Sequence, residues 1–392
     1  VLDRIIEDFD ENDAQQVKDF EATTNHDVKA VEYFLKEKIK ASKDTALLKS
    51  LEFIHFACTS EDINNISHAL MLCHARDKVV LPEIISLRDA IGQLARKYAN
   101  VPMLSRTHGQ VASPTTMGKE MANVMARMQR QLEIVRNVSI LGKVNGAVGN
   151  FNAHLSAYPD IDWLKQSQIF VESLGLEWNP YTTQIEPHDY IADLCYKVSH
   201  INSILIGFSQ DIWTYISKNY FTQKNIKGEI GSSTMPHKIN PINFENAEGN
   251  LGMSNAISQY FASKLVISRL QRDLSDSTVL RNIGLVYAYS VVAYKNILLG
   301  LSKLDINKAK IDSDLDECWE ILAEPIQMVA RKYQISNSYE LLKKFTRGRK
   351  VNKTIIEKII ANLDIPDNEK NRLLELTPRK YIGYANKLCD AK

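Results

Sequence analysis

Glycine and proline are scarce, at 16 and 11 of 392 residues, about 7% together where soluble proteins carry about 12%. Sandwiches and propellers turn roughly every 8–12 residues and spend both residues on those turns, so they are excluded. Collagen-like and Gly/Pro-rich disordered chains are excluded with them. Cysteine is sparse too. Cys58, Cys73, Cys195, Cys318 and Cys389 are odd in number, scattered, and form no CxxC or metal-ligand spacing. Free thiols in a reducing compartment are therefore expected, rather than a disulfide framework. Long apolar runs are also missing: none of about 18 residues stands out, so no membrane span is expected. No secretory signal opens the chain, and a cytoplasmic location follows as the expectation. Finally, no charge sign dominates. Lys plus Arg is 48 against 47 for Asp plus Glu, which is no electrostatic footprint for nucleic acid.

What is present is helical patterning. Hydrophobic residues make up 44% and charged residues 24%, enough for a sizeable core. Ile191, Leu194, Val198, Ile201, Leu205, Phe208, Ile212 and Tyr215 alternate at spacings of three and four, one stripe along a very long helix. Met117, Met121, Val124, Met128, Leu132 and Val135 form a second stripe, with Ser113 expected as its N-cap and Pro114 at its first position. Leu285 to Leu301 is apolar nearly all round, which suits a helix inside a bundle or an oligomer core. Strand signals are few, so the expected class is all-α. Three parts are expected: residues 1–76, an N-terminal helical domain; 77–304, a bundle of very long helices; and 305–392, a smaller helical domain. Val1 opens in mid-pattern (Leu2, Ile5, Ile6, Phe9), so a preceding piece is expected to be missing.

Five segments could carry chemistry. Gly228 to Pro241 holds two glycines, Ser232, Ser233, Thr234, His237, Lys238 and two prolines. Such a loop can offer backbone N–H groups and hydroxyls to an anion, with Lys238 supplying charge; an ordinary polar loop reads equally well. His108, in Leu104–Gln110, is the side-chain type that titrates nearest neutrality and so a default general acid or base, or simply a structural histidine. Asn25-His26-Asp27 could be a helix start capped by Asn25 or Thr24. Thr59-Ser60-Glu61-Asp62 reads as a capping box with Thr59 as N-cap. Arg269, Arg272 and Arg281 could bind phosphate or carboxylate, or line a solvated helix face paired with Asp273 and Asp276. Gly142, Gly146 and Gly149 do not have dinucleotide-loop spacing, and no metal cluster is expected.

The run Gly231-Ser232-Ser233-Thr234-Met235-Pro236-His237-Lys238-Ile239-Asn240-Pro241 resembles the GSSxMPxKxNP signature of the fumarase/aspartase superfamily. Its histidine between Pro236 and Lys238 is similar to the adenylosuccinate lyase family, bacterial form. Thr24–Val28, Thr59–Asp62, Thr107–Gln110, Gln184–Tyr190, Arg272 and Ser277–Arg281 match that family in order, so the resemblance covers essentially the whole chain. One departure is that the family carries several dozen residues in front, including an Arg-Tyr pair that contacts the nucleotide.

The resemblance implies β-elimination of fumarate from adenylosuccinate and from the succinylocarboxamide ribotide, with no cofactor and no metal. It implies Ser232 as base, Ser233 remaining open for that role, and His108 as acid. Thr59, Ser60, Lys238 and Asn240 would face the charge that grows on the carboxylate. His26 and Gln184 would hold the substrate's carboxylates or base, and Arg272, Ser277 and Arg281 its phosphate or ribose. Asn25, Asp27, Thr107, Thr278, Val279 and Leu280 match further substrate-binding positions. The implied partners are small nucleotide substrates and further copies of the chain, as a homotetramer whose active sites draw on three subunits. Neither nucleic acid nor membrane is implied. A sister lyase (argininosuccinate lyase, fumarase or aspartase) and a non-catalytic protein on the same fold are the alternatives.

Overall fold

The structure is a computed structural model that describes every residue except 225, 227, 229–233, 347–350 and 391–392. It is mostly helical. The longest helices are Leu81–Lys97, Met117–Arg136, Asp189–Ser217, Ile242–Lys264 and Ile283–Ser302. Among the described residues strands form three two-stranded pairs: an antiparallel hairpin Pro102–Thr107 with Gln110–Thr116, a short parallel pair Leu141–Gly142 with Glu177–Trp178, and antiparallel Phe221–Gln223 with Leu304–Ile306.

The stripes do what their spacing implies. Ile191, Leu194, Val198, Ile201, Leu205, Phe208 and Ile212 are all buried, as are Met117, Met121, Val124, Met128, Leu132 and Val135. Truncating one such side chain, Leu205→Ala for instance, costs about 2–5 kcal/mol in cores of this kind.

Contacts gather the chain into two compact units. One comprises Val1–Val80, Val135–Val198 and Ala256–Tyr287; the other comprises Leu81–Ile134, Ser199–Asn255 and Ala288–Lys392. The second unit has a polar node at its centre. Asn202 Nδ2 donates to Ser254 Oγ at 3.1 Å and to Ser290 Oγ at 3.0 Å, and Tyr294 OH donates to Asn202 Oδ1 at 2.6 Å. All four residues are buried. A bonded node of this kind admits one register of the three helices that carry it, because any slip strands a buried polar group. Close approach fixes a second register. A Cβ at Gly118 would lie 2.4 Å from the Ala95 carbonyl oxygen, so only glycine lets these backbones meet.

Four sequence expectations are corrected. Ser113 and Pro114 lie in a strand; the helix starts at Met117, and Thr116 Oγ1 caps it by accepting from Lys119 N at 3.1 Å. Asn25 is a left-handed helix C-cap at φ 50°, and His26 caps the next helix. Arg269 does pair with Asp273 at 3.3 Å, but residues 265–274 are not helical, and Asp276 pairs with His188 rather than with an arginine. The Leu285–Leu301 stretch is not buried all round in one chain. Val286, Ala293, Tyr294 and Ile297 are buried, while Leu285, Val292 and Leu299, seven residues apart, are about half exposed.

Candidate active site

In the first unit the Ser60–Ala75 helix opens with the expected capping box, Thr59 N donating to Asp62 Oδ2 at 2.8 Å. Asp62 does more than cap. It is 1% exposed and also accepts from Asn145 N at 3.0 Å, Gly146 N at 3.1 Å and Lys143 Nζ at 2.8 Å. Lys143 has no exposed surface, and burial pulls its ammonium below the ordinary lysine value although Asp62 opposes the shift. Asn65 bonds both backbone groups of Lys143. Segment 143–147 is thereby fixed to the start of this helix. Burial, with Asp62 adding to it, pushes the neighbouring Cys58 thiol up to about 11, which marks it as unreactive.

On that frame the binding-type side chains converge. His26 Nδ1 accepts from Lys29 N at 3.3 Å, so its proton belongs on Nε2, which faces Ser60 Oγ at 3.5 Å. Gln184 Nε2 donates to the Ala147 carbonyl at 3.0 Å. Arg272 Nη1 reaches Glu61 Oε1 at 2.9 Å and Gln184 Oε1 at 3.4 Å. A cavity of about 430 Å³ opens beside Ala147, Val148, Gln184 and Arg272. The Ser275–Leu280 helix carries Ser277, Thr278, Val279 and Leu280, with Arg281 at its C-cap. Val279 and Leu280 are buried, so their side chains serve packing. Asp27 and Asn25 are exposed on either side of His26, and Asp27 Oδ1 accepts from Val28 N at 2.8 Å.

The second unit holds the other predicted residues. Thr107 pairs with Gln110 across the hairpin, and His108 (φ 53°) with Gly109 (φ 74°) forms its two-residue turn. Two positive φ angles are the geometry of the tight hairpin turn that usually takes Asn-Gly. Histidine in that place is a strained choice, and such strain gathers at functional positions. His108 and Thr107 are exposed. A groove of about 580 Å³ runs beside Arg106, Thr107 and Gly109. Lys238 is exposed and Asn240 half-buried, in the turn leading into the Ile242–Lys264 helix. Ser232 and Ser233 lie outside the described residues.

Sequence reasoning missed Lys143, and it took Asp62 for a cap alone. It also gave no role to Glu61, Glu186 or His188 and read Asp276 only as a partner for an arginine; the structure buries all four. Glu61 beside Ser60 is the one with a usable signal, because an acid at the second position of a helix is favoured and leaves its outer oxygen free for a cation.

The helical-bundle architecture is shared with solved structures. A 3-carboxy-cis,cis-muconate lactonizing enzyme from Pseudomonas putida aligns over 98% of this chain and 84% of its own, at TM-score 0.74 and 20% identity. A fumarate lyase from Mesorhizobium sp. BNC1 aligns over 96% and 84%, at TM-score 0.76 and 16% identity. Residues 1–255 match the lyase family model, and residues 268–382 match that of the adenylosuccinate lyase C-terminal region. Adenylosuccinate lyases of Vibrio cholerae and Escherichia coli K12 are 59% and 58% identical, each over 99% of this chain and 85% of the relative. The chain belongs to the adenylosuccinate lyase family.

Proposed function

We propose that the protein cleaves the C–N bond of adenylosuccinate to AMP and fumarate, and the same bond of the succinylocarboxamide ribotide. The observation that carries this reading is the 59% identity over 99% of the chain. At that level a sister lyase acting on argininosuccinate, aspartate or malate is not favoured, nor is a non-catalytic relative.

The chemistry assigns roles. A base removes the Cβ proton, the electron pair moves onto the neighbouring carboxylate as the C–N bond weakens, and an acid protonates the departing nitrogen. Ser232 is the proposed base, with Ser233 beside it, and His108 the proposed acid. An exposed imidazole at a hairpin tip is free to exchange its proton with solvent after each turnover. Lys238, Asn240, Thr59 and Ser60 would face the growing negative charge, where fixed donors give most of their effect. His26, with Thr107 and Gln184, would hold carboxylates and base; Arg272, Ser277 and Arg281 would hold phosphate and ribose. The Gln184–Arg272 contact beside a cavity supports that pairing.

A homotetramer is part of the same proposal. The stripe Leu285, Val292 and Leu299, exposed in one chain, needs cover, and helix packing against other copies would supply it. A cytoplasmic location and the domain boundaries at 76/77 and 304/305 belong here too. The first falls at the π-helical turn Arg76–Val80 and the second at the strand Leu304–Ile306. The test is direct. Purified protein should deplete adenylosuccinate and release equimolar fumarate, and Ser232→Ala should slow turnover by about two orders of magnitude or more. Turnover of argininosuccinate instead would sink the assignment.

A further inference from the structure

We infer that His188 is a positioning residue for the nucleotide half of the site, tying the loop that bears Gln184 to the helix that bears Ser277 and leads to Arg281. This rests on the reading above of Gln184, Arg272, Ser277 and Arg281 as nucleotide-holding groups.

His188 is 2% exposed, and a buried imidazole needs partners to repay its lost hydration. Its Nε2 lies 3.3 Å from Asp276 Oδ2, and its backbone N–H donates to Glu186 Oε2 at 2.8 Å. Glu186 is itself held by Asn179 Nδ2 at 3.0 Å. The backbone at His188 is left-handed, with φ 65°, a conformation that non-glycine residues adopt only where their surroundings insist on it. That bend turns the chain out of the Gln184 loop, and the His188 carbonyl then accepts from Ile191 N and Ala192 N at the start of the Asp189–Ser217 helix. Backbone and ring are thus pinned at separate places.

The ring's partner is equally committed. Asp276 Oδ1 accepts from Ser277 N at 2.7 Å. Burial pushes the Asp276 carboxyl up, but the hydrogen bond and charge of His188, the Ser277 N–H and the charge of Arg272 outweigh it and hold it below its ordinary value. The contacts close a ring: Gln184 to His188 along the chain, His188 to Asp276 across, Asp276 back to Arg272 along the chain, and Arg272 to Gln184 across. In that ring the Arg272–Gln184 contact, at 3.4 Å, is long. It cannot by itself hold the loop and the helix in register, so the His188–Asp276 link must.

The experiment compares His188→Leu and His188→Gln in the intact enzyme, with Arg281→Gln alongside. Readouts are kcat and KM for adenylosuccinate and inhibition constants for AMP and for fumarate, which lacks the nucleotide. His188→Leu should raise KM and the AMP constant by about tenfold, with kcat falling far less and the fumarate constant moving less than about twofold. His188→Gln, whose amide can donate to Asp276 from the Nε2 position, should restore most of the loss. If His188→Leu does not fold, Asp276→Asn carries the same comparison. The inference is overturned if AMP and fumarate weaken together with kcat and glutamine fails to rescue, since that pattern is general loosening. It is also overturned if the AMP constant is unmoved by His188→Leu but raised by Arg281→Gln, which leaves the nucleotide reading standing. If neither variant moves it, the nucleotide reading falls and this inference with it.

Discussion

The site residues of the two units are held in opposite ways. Near Arg272 the carboxylates of Glu61, Asp62 and Asp276 are buried and each is held: Glu61 by Arg272, Asp62 by four donors, Asp276 by His188. Around the hairpin tip and the turn at Lys238 the side chains are exposed. Neither the His108 imidazole nor the Lys238 ammonium makes a side-chain hydrogen bond among the described residues. There the backbone does the positioning, through a two-residue turn with positive φ at both residues. The difference follows from the work proposed for each. Groups that hold a multiply charged ligand gain from being fixed beforehand, because ordering them on binding would be subtracted from affinity. A group that gives and takes a proton, the role proposed for His108, must exchange that proton between turnovers, and an exposed side chain can do so.

The contrast predicts opposite kinds of damage, and the largest falls on the held region. Lys143→Met leaves Asp62 buried without its cation, which costs about 3–5 kcal/mol in comparable sites. Chemical denaturation should show that loss, and activity should fall only as the folded fraction falls. Next comes the exposed region. His108→Asn keeps a residue that tolerates the left-handed turn but removes the proton donor. Turnover should drop about a hundredfold or more, equivalent to roughly 2.7 kcal/mol of barrier. The denaturation midpoint should stay put, since exposed substitutions usually fall within about 0.5 kcal/mol. A large stability loss at His108, or none at Lys143, would break the comparison.

Much of the fold was readable because its signals are periodic. The stripes from Ile191 and Met117 placed the long helices and their buried faces, and Thr59 with Asp62 placed one helix start correctly. Local signals that compete were misread. Ser113-Pro114 looks like a helix start, yet those residues pair in a hairpin strand, and tertiary pairing overrode the local preference. The apolar run at Leu285–Leu301 was read as buried, but its half-exposed face shows that composition cannot say what covers a residue. Binding-type residues were legible as motifs. Their supports were not, because Asp62 and Lys143 lie 81 positions apart in sequence and His188 and Asp276 lie 88 apart, and no local pattern encodes a contact made at that range.

The mildest effect tests how dry the held region is. Burial raises the Glu186 carboxyl above its ordinary value of 4.5, against the opposing pull of the His188 N–H and ring and the Asn179 amide. The folded chain then keeps a proton there that the unfolded chain has already released. Between about 4.5 and the raised value the folded state therefore binds more protons, so stability declines as pH rises through that window and levels off above it. Glu186→Gln cannot titrate and should remove this slope, leaving the curve flatter from about pH 4.5 upward through that window. It keeps one acceptor for His188 N, so the change at low pH should be small. Urea midpoints of both forms across that range decide the matter. Parallel curves would mean that water reaches Glu186, and the buried half of the comparison would lose its sharpest edge.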